Sequence, residues 1–183
     1  IVLRLIMNNY TYRLIHLIKI KQLYKFIKEF YEKHKNNINI HHYNDSIFRI
    51  ACKTGNLELC QWIYSLDTSD KFNIHSDNDE PFRNACKSNN LKLCQWLYSL
   101  DTPESFNIHS CSDQPFKHSV YNYGNLKLCQ WIYSLDKPES FDIHVDNNEI
   151  FKDACKKGNI KLVKWLCSLD TPESFDIHSE NEI

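Results

Sequence analysis

The chain has 183 residues, 42% of them hydrophobic, and 24 are Phe, Tyr or Trp, yet only three are Gly. Gly runs near 7% in ordinary domains; its scarcity argues against Gly-rich phosphate loops and dinucleotide folds, and the aromatic content argues against disorder. A formal net charge of −1 excludes a globally basic nucleic-acid binder and an acidic disordered tail.

The charge is unevenly placed. Residues 1–47 carry eight Lys or Arg against three acids, a net of +5, whereas residues 48–183 carry 14 against 20, a net of −6. In the first segment Leu14, Leu17 and Ile18, then Leu23, Phe26, Ile27 and Phe30, recur at helical spacing, so helices are predicted within residues 14–31. Arg4, Arg13, Lys19, Lys21 and Lys25 interrupt the apolar run, so no spanning helix is expected. The segment ends on Ile38-Asn39-Ile40-His41 and reads as a degenerate repeat or cap. Lys19, Lys21, Lys25 and Lys28 beside Ile18, Leu23, Phe26 and Phe30 leave a membrane-surface helix as the alternative. The cap is preferred because the segment leads directly into a repeat loop. Ile1 in place of Met suggests a fragment or a shortened product, with Met7 as a possible start.

From residue 48 onward the chain repeats. Trp62, Trp96, Trp131 and Trp165 are spaced by 34, 35 and 34 residues, and His75, His109, His144 and His178 follow the same interval. Four copies result, at residues 48–75, 82–109, 116–144 and 151–178, with an extra residue in the third between Phe116 and Gly124. Within a copy Phe82, Ala85 and Cys86 lie on one face of a short helix, and Leu93, Cys94, Trp96, Leu97 and Leu100 form the stripe of a second. Gly55, Gly124 and Gly158 occupy one slot between these helices, and Asn89 fills it in the remaining copy. Both residue types take the left-handed backbone that ends a helix. The second helix is followed by an inserted turn opened by Pro103, Pro138 or Pro172, then by an extended segment such as Asn107-Ile108-His109-Ser110. A loop or hairpin is expected there, before Pro81 or Pro115 opens the next helix.

The wording Glu80-Pro81-Phe82-Arg83-Asn84-Ala85, Gly55-Asn56-Leu57-Glu58-Leu59-Cys60 and Phe72-Asn73-Ile74-His75 resembles the ankyrin repeat, and is similar to the divergent ankyrin repeats of giant amoeba viruses. The resemblance covers about 130 residues and implies an all-α, ankyrin-like solenoid of paired short helices joined by loops or hairpins. A period of 34 also fits tetratricopeptide repeats, but those need two long helices, whereas roughly 15 residues of each copy here are loop. The family's Thr-Pro-Leu-His opening is replaced by Ser46 with Arg49, Glu80 with Arg83, Gln114 with Lys117, and Glu149 with Lys152. The resemblance implies a non-catalytic scaffold for protein–protein interaction, possibly directed at host proteins.

Site chemistry points the same way. Every notable polar residue recurs once per repeat, whereas an enzyme needs one asymmetric constellation, so no catalytic residue and no cofactor are expected. The His column is expected to bond backbone groups of adjacent loops, because layers about 8–10 Å apart cannot share one metal. Seven of the eight Cys fall in apolar patterns and read as buried thiols, with Cys111 in a polar segment. No metal is expected at the Cys52–Cys60 and Cys86–Cys94 pairs, and a reducing, cytoplasmic setting follows from such thiols. Trp62, Trp96, Trp131 and Trp165 read as core between repeats. Arg49 with Lys53, Arg83 with Lys87, Lys117, and Lys152 with Lys156 form a basic column on the first helices, facing Asp77, Asp79, Glu80, Asp113, Asp146 and Glu149 of the joints. This column is either a solvated face balanced by those acids or a groove for an acidic protein segment, with Asp79 and Asp113 as further contacts at the tips. Nucleic acid is disfavoured by the negative repeat region; a monomer is expected. The last layer, at Trp165 and Leu166, is expected to stand exposed.

Overall fold

The computed structural model describes residues 9–21, 23–66, 71–100, 106–121, 124–135 and 143–169, without the side chains of residues 145–147. The described residues are all-α, with ten α-helices and no strand. These are α1 (Tyr10–Lys19), α2 (Tyr24–His34), α3 (His42–Thr54), α4 (Leu57–Ser65), α5 (Ser76–Lys87), α6 (Leu91–Ser99), α7 (Ser110–Tyr121), α8 (Leu126–Tyr133), α9 (Val145–Lys156) and α10 (Ile160–Leu169), with a 3-10 turn at Lys35–Asn37. The inserted turns at Pro103, Pro138 and Pro172, the extra residue of the third copy at 122–123, His178 and Met7 lie outside the described residues.

The chain forms two compact units, Ile1–Asn107 and Ile108–Ile183. In the first, α1 packs on α2 and α3, α3 on α4 and α5, and α5 on α6. In the second, α7 packs on α8 and α9, and α9 on α10. The basic segment 1–47 is therefore no separate body. Its α1 buries Leu14, Ile15 and Ile18 and joins the stack of first helices through α3.

The hydrophobic stripes place the core. Phe48, Phe82 and Phe116 of the first helices are fully buried, and Leu59, Cys60 and Ile63, Leu93, Cys94 and Leu97, and Leu128, Cys129 and Ile132 line the second. Leu166 is also fully buried, against the expected exposure, while Trp165 is half-buried. Among the cysteines, Cys155 departs from the expectation by being exposed, and Cys167 is half-buried. Both belong to the last described helix pair.

The turn within each pair follows from backbone sterics. Gly55, Gly124, Gly158 and Asn89 have φ of 76°, 57°, 65° and 64°, a region open to Gly and tolerated by Asn. A Cβ at Gly55 would also stand 3.0 Å from the Ser88 side chain. The next residue but one starts each second helix. Asn56, Asn90, Asn125 and Asn159 accept the amides of Leu59, Leu93, Leu128 and Leu162 on Oδ1 at 2.9–3.3 Å, the N-cap bond that satisfies an otherwise orphaned donor. Asn90 Nδ2 donates to the Gly55 carbonyl at 2.7 Å, and Asn159 Nδ2 to that of Gly124 at 2.6 Å. One side chain thus caps its helix and ties neighbouring pairs.

The loop entering each first helix differs from the expected hairpin. After His41, His75 and His109 the chain closes into a left-handed turn, with φ of 52–60° at Tyr43 to Asp45, Asp77 to Asp79 and Cys111 to Asp113. The amides of Asp45, Asp79 and Asp113 donate to the carbonyls of His41, His75 and His109. Left-handed residues cost about 1–2 kcal/mol each for most side chains, and less for Asn and Asp, which explains the polar wording of these tips. Pro81 and Pro115 follow directly and are buried.

Candidate functional site

The left-handed turns bring each His onto a carboxylate. His41 Nδ1 lies 2.7 Å from Asp45 Oδ1, and His75 Nδ1 lies 2.7 Å from Asp79 Oδ1. His109 with Asp113 and His144 with Asn148 repeat the contact at 2.5 and 2.6 Å. A carboxylate only accepts, so Nδ1 carries the proton. The second carboxylate oxygen reaches the following repeat: Asp45 Oδ2 accepts the Asn73 amide at 2.8 Å, and Asp79 Oδ2 accepts the Asn107 amide at 3.0 Å. Thr11 Oγ1 does the same for the Asn39 amide at 3.0 Å. The His column therefore bonds carboxylates rather than backbone, and the Asp supplies the backbone bond. Asp79, expected at a partner-facing tip, is 6% exposed and held inside this network; Asp113 is half-buried beside His109.

The basic column divides in two. Arg49 is 14% exposed and its Nη1 is paired with Asp77 and Glu80 of the next joint, while Nη2 donates to the Tyr43 carbonyl at 2.9 Å. Arg83 Nη2 donates to the Asp77 carbonyl at 2.8 Å. These guanidinium groups clamp the left-handed tips. Lys117 and Lys152 are half-buried, whereas Lys53, Lys87 and Lys156 are exposed. Lys53 joins two lysines that the expected column did not contain. Lys19, Lys21, Ile50, Lys53, Thr54, Glu80 and Asn84 line an open groove of about 660 Å³ beside α1, α3 and α5. Lys19, Lys21 and Lys53 are exposed and make no ion pair among the described residues. Lys19 and Lys21 had been read as part of the N-terminal cap; their place in the groove depends on α1 packing against α3, a tertiary contact that spacing alone does not encode.

The indoles tie neighbouring pairs together from half-buried positions. Trp62 meets Tyr24 and Tyr31 edge-on at 5.9 and 5.5 Å, Trp96 meets Phe48 and Tyr64 at 6.5 and 5.7 Å, and Trp165 meets Phe116 and Tyr133 at 6.4 and 5.6 Å. Trp131 is likewise half-buried. The thiols of Cys86 and Cys94 lie 3.9 Å apart and fully buried. Burial pushes the Cys52 thiol well above the ordinary range, with Cys60 beside it adding to the shift. Burial raises Cys129 to about 11, against the opposing hydrogen bond from Ser119. Such thiols stay protonated at neutral pH and are poor nucleophiles. Among the described residues no cluster of three or more His, Cys, Asp or Glu is arranged to hold a metal ion, and no helix is long and apolar enough to cross a membrane.

No family model matches this sequence, and no curated protein or solved structure matches it.

Proposed function

We propose that the chain is a non-catalytic, ankyrin-like repeat scaffold, a monomeric solenoid that binds a protein partner by an acidic segment lying in the groove of Lys19, Lys21 and Lys53. The observation that carries this reading is the contrast within the basic column. Arg49 is consumed by Asp77 and Glu80, whereas three ammonium groups around an open groove have no counter-ion from the described residues. Ile50 between them offers an apolar contact for a partner side chain. The ankyrin-like wording of the repeats and the successive packing of first helices α1, α3 and α5 support a solenoid whose first-helix face receives the partner. The free thiols of all eight cysteines suit a reducing compartment such as cytoplasm, including that of a host cell.

A labelled peptide of alternating Glu and Leu, titrated by fluorescence anisotropy, tests the groove. Exposed lysine–carboxylate contacts contribute up to about 1 kcal/mol each, so Lys53→Glu, which turns attraction into repulsion, should weaken binding roughly tenfold or more. Added salt should weaken the native complex. Equal affinity of the native protein and Lys53→Glu, or no binding by either, would remove the groove from consideration.

A further inference from the structure

The turn between α1 and α2 breaks two rules that the other helix pairs obey. Its left-handed position is Lys21, with φ of 51°, where the other pairs use Gly or Asn. Its N-cap is Leu23, which makes no side-chain cap bond, where the others use Asn. Both departures weaken the turn locally. What they provide is a surface: Leu23 is 80% exposed, and Ile20 and Phe26 beside it are each 48% exposed. Lys19, Lys21 and Lys25 surround these side chains and are exposed too. Ile18 and Phe30 do not belong to this patch, because Ile18 is fully buried and Phe30 packs on Tyr10 and His34. The apolar residues thus gather at a turn rather than along one face of a helix.

We propose that this turn is a membrane-surface contact, in which Leu23, Ile20 and Phe26 enter the headgroup–acyl boundary of an anionic bilayer while Lys19, Lys21 and Lys25 meet its phosphates and carboxylates. Charge complementarity selects the occupant. The segment 1–47 carries a net of +5 and the remainder a net of −6, so an anionic surface attracts this end and repels the rest. A bilayer also accepts apolar tips and a cationic collar at adjacent depths, as interfacial helices use them. The contact is peripheral and separate from the proposed groove: Leu23 does not line the groove, and Lys53 is not part of the turn.

The full chain is sedimented with vesicles of phosphatidylcholine alone and of phosphatidylcholine with phosphatidylserine. The native protein should pellet with the anionic vesicles, remain in solution with the neutral ones, and be released by salt. Leu23→Asn installs the cap of the other pairs, so it should melt no lower than the native protein while its partition onto anionic vesicles falls about tenfold. Phe26→Gln should reduce partition in the same direction. Lys53→Glu should leave vesicle binding largely intact, which separates this result from a failure of the groove. The proposal is overturned if the native chain stays in solution with anionic vesicles, which would leave the patch to a protein partner. Equal pelleting with neutral vesicles, or undiminished binding by both folded variants, overturns it as well.

Discussion

Asp79 joins three segments with one carboxylate, receiving His75 Nδ1 at 2.7 Å and the Asn107 amide at 3.0 Å while sitting at the end of a left-handed turn. Leaving a buried donor unsatisfied costs about 1–3 kcal/mol. Asp79→Ala strands two donors, so a loss of about 2–4 kcal/mol in urea unfolding is expected. Asp79→Asn should lose less, because Asn148 already bonds His144 through Oδ1 at 2.6 Å in the fourth copy. Equal losses from both substitutions would show that the carboxylate's bonds are not what holds the turn. Cys129 makes a second residue-scale prediction, with pH as the variable. Its thiol titrates near 11 in the folded chain against an ordinary 9.0, so the folded state favours the protonated form. The associated stability is complete below the unfolded pKa and is lost as pH rises through the folded one, up to about 3 kcal/mol for two pH units. Cys129→Val, the residue that the fourth repeat carries as Val163, should therefore show a shallower alkaline fall in Tm than the native protein. Parallel profiles would mean that the thiol's ionisation is not coupled to folding.

At the scale of elements, what the sequence revealed depended on whether the cause was local. Helix pairs are written into the spacing of Phe82, Ala85 and Cys86 and of Leu93, Cys94 and Leu97, because the stripe must face the core at a 3.6-residue period. The slot of Gly55, Gly124, Gly158 and Asn89 was legible for a similar reason, since positive φ excludes most side chains. The left-handed entry turns were not. Ser76-Asp77-Asn78-Asp79 has the composition of any polar loop, and what closes it is a His–Asp bond over four residues plus an amide from the following repeat. The expectation of a hairpin failed because extended dipeptides such as Asn73-Ile74 gain no strand partner among the described residues; Asp45 takes the Asn73 amide instead. Asp79 was misread as a tip contact for the same reason, and the exceptional turn of Lys21 and Leu23 became visible only against the caps of the other pairs.

At the scale of the molecule, similar charges do different work. Arg49 and Lys53 are one helical turn apart on α3, yet Arg49 holds Asp77 and Glu80 of the next repeat while Lys53 faces the groove. The difference arises because the acidic tips fold over the first helix at Arg49 and stop short of its C-terminal end. Stability and binding should therefore separate cleanly. Arg49→Gln removes a charge-assisted bridge between repeats and should lower stability by about 1–2 kcal/mol, with added salt narrowing the gap to the native protein as screening weakens the remaining attraction. Lys53→Glu lies on an exposed face and should stay within about 0.5 kcal/mol of native stability while weakening capture of the acidic peptide. Chemical denaturation and peptide titration of both variants decide the point. If Arg49→Gln unfolds like the native chain and instead loses peptide affinity, the guanidinium belongs to the binding face, and the division between structural arginine and ligand-facing lysine is wrong.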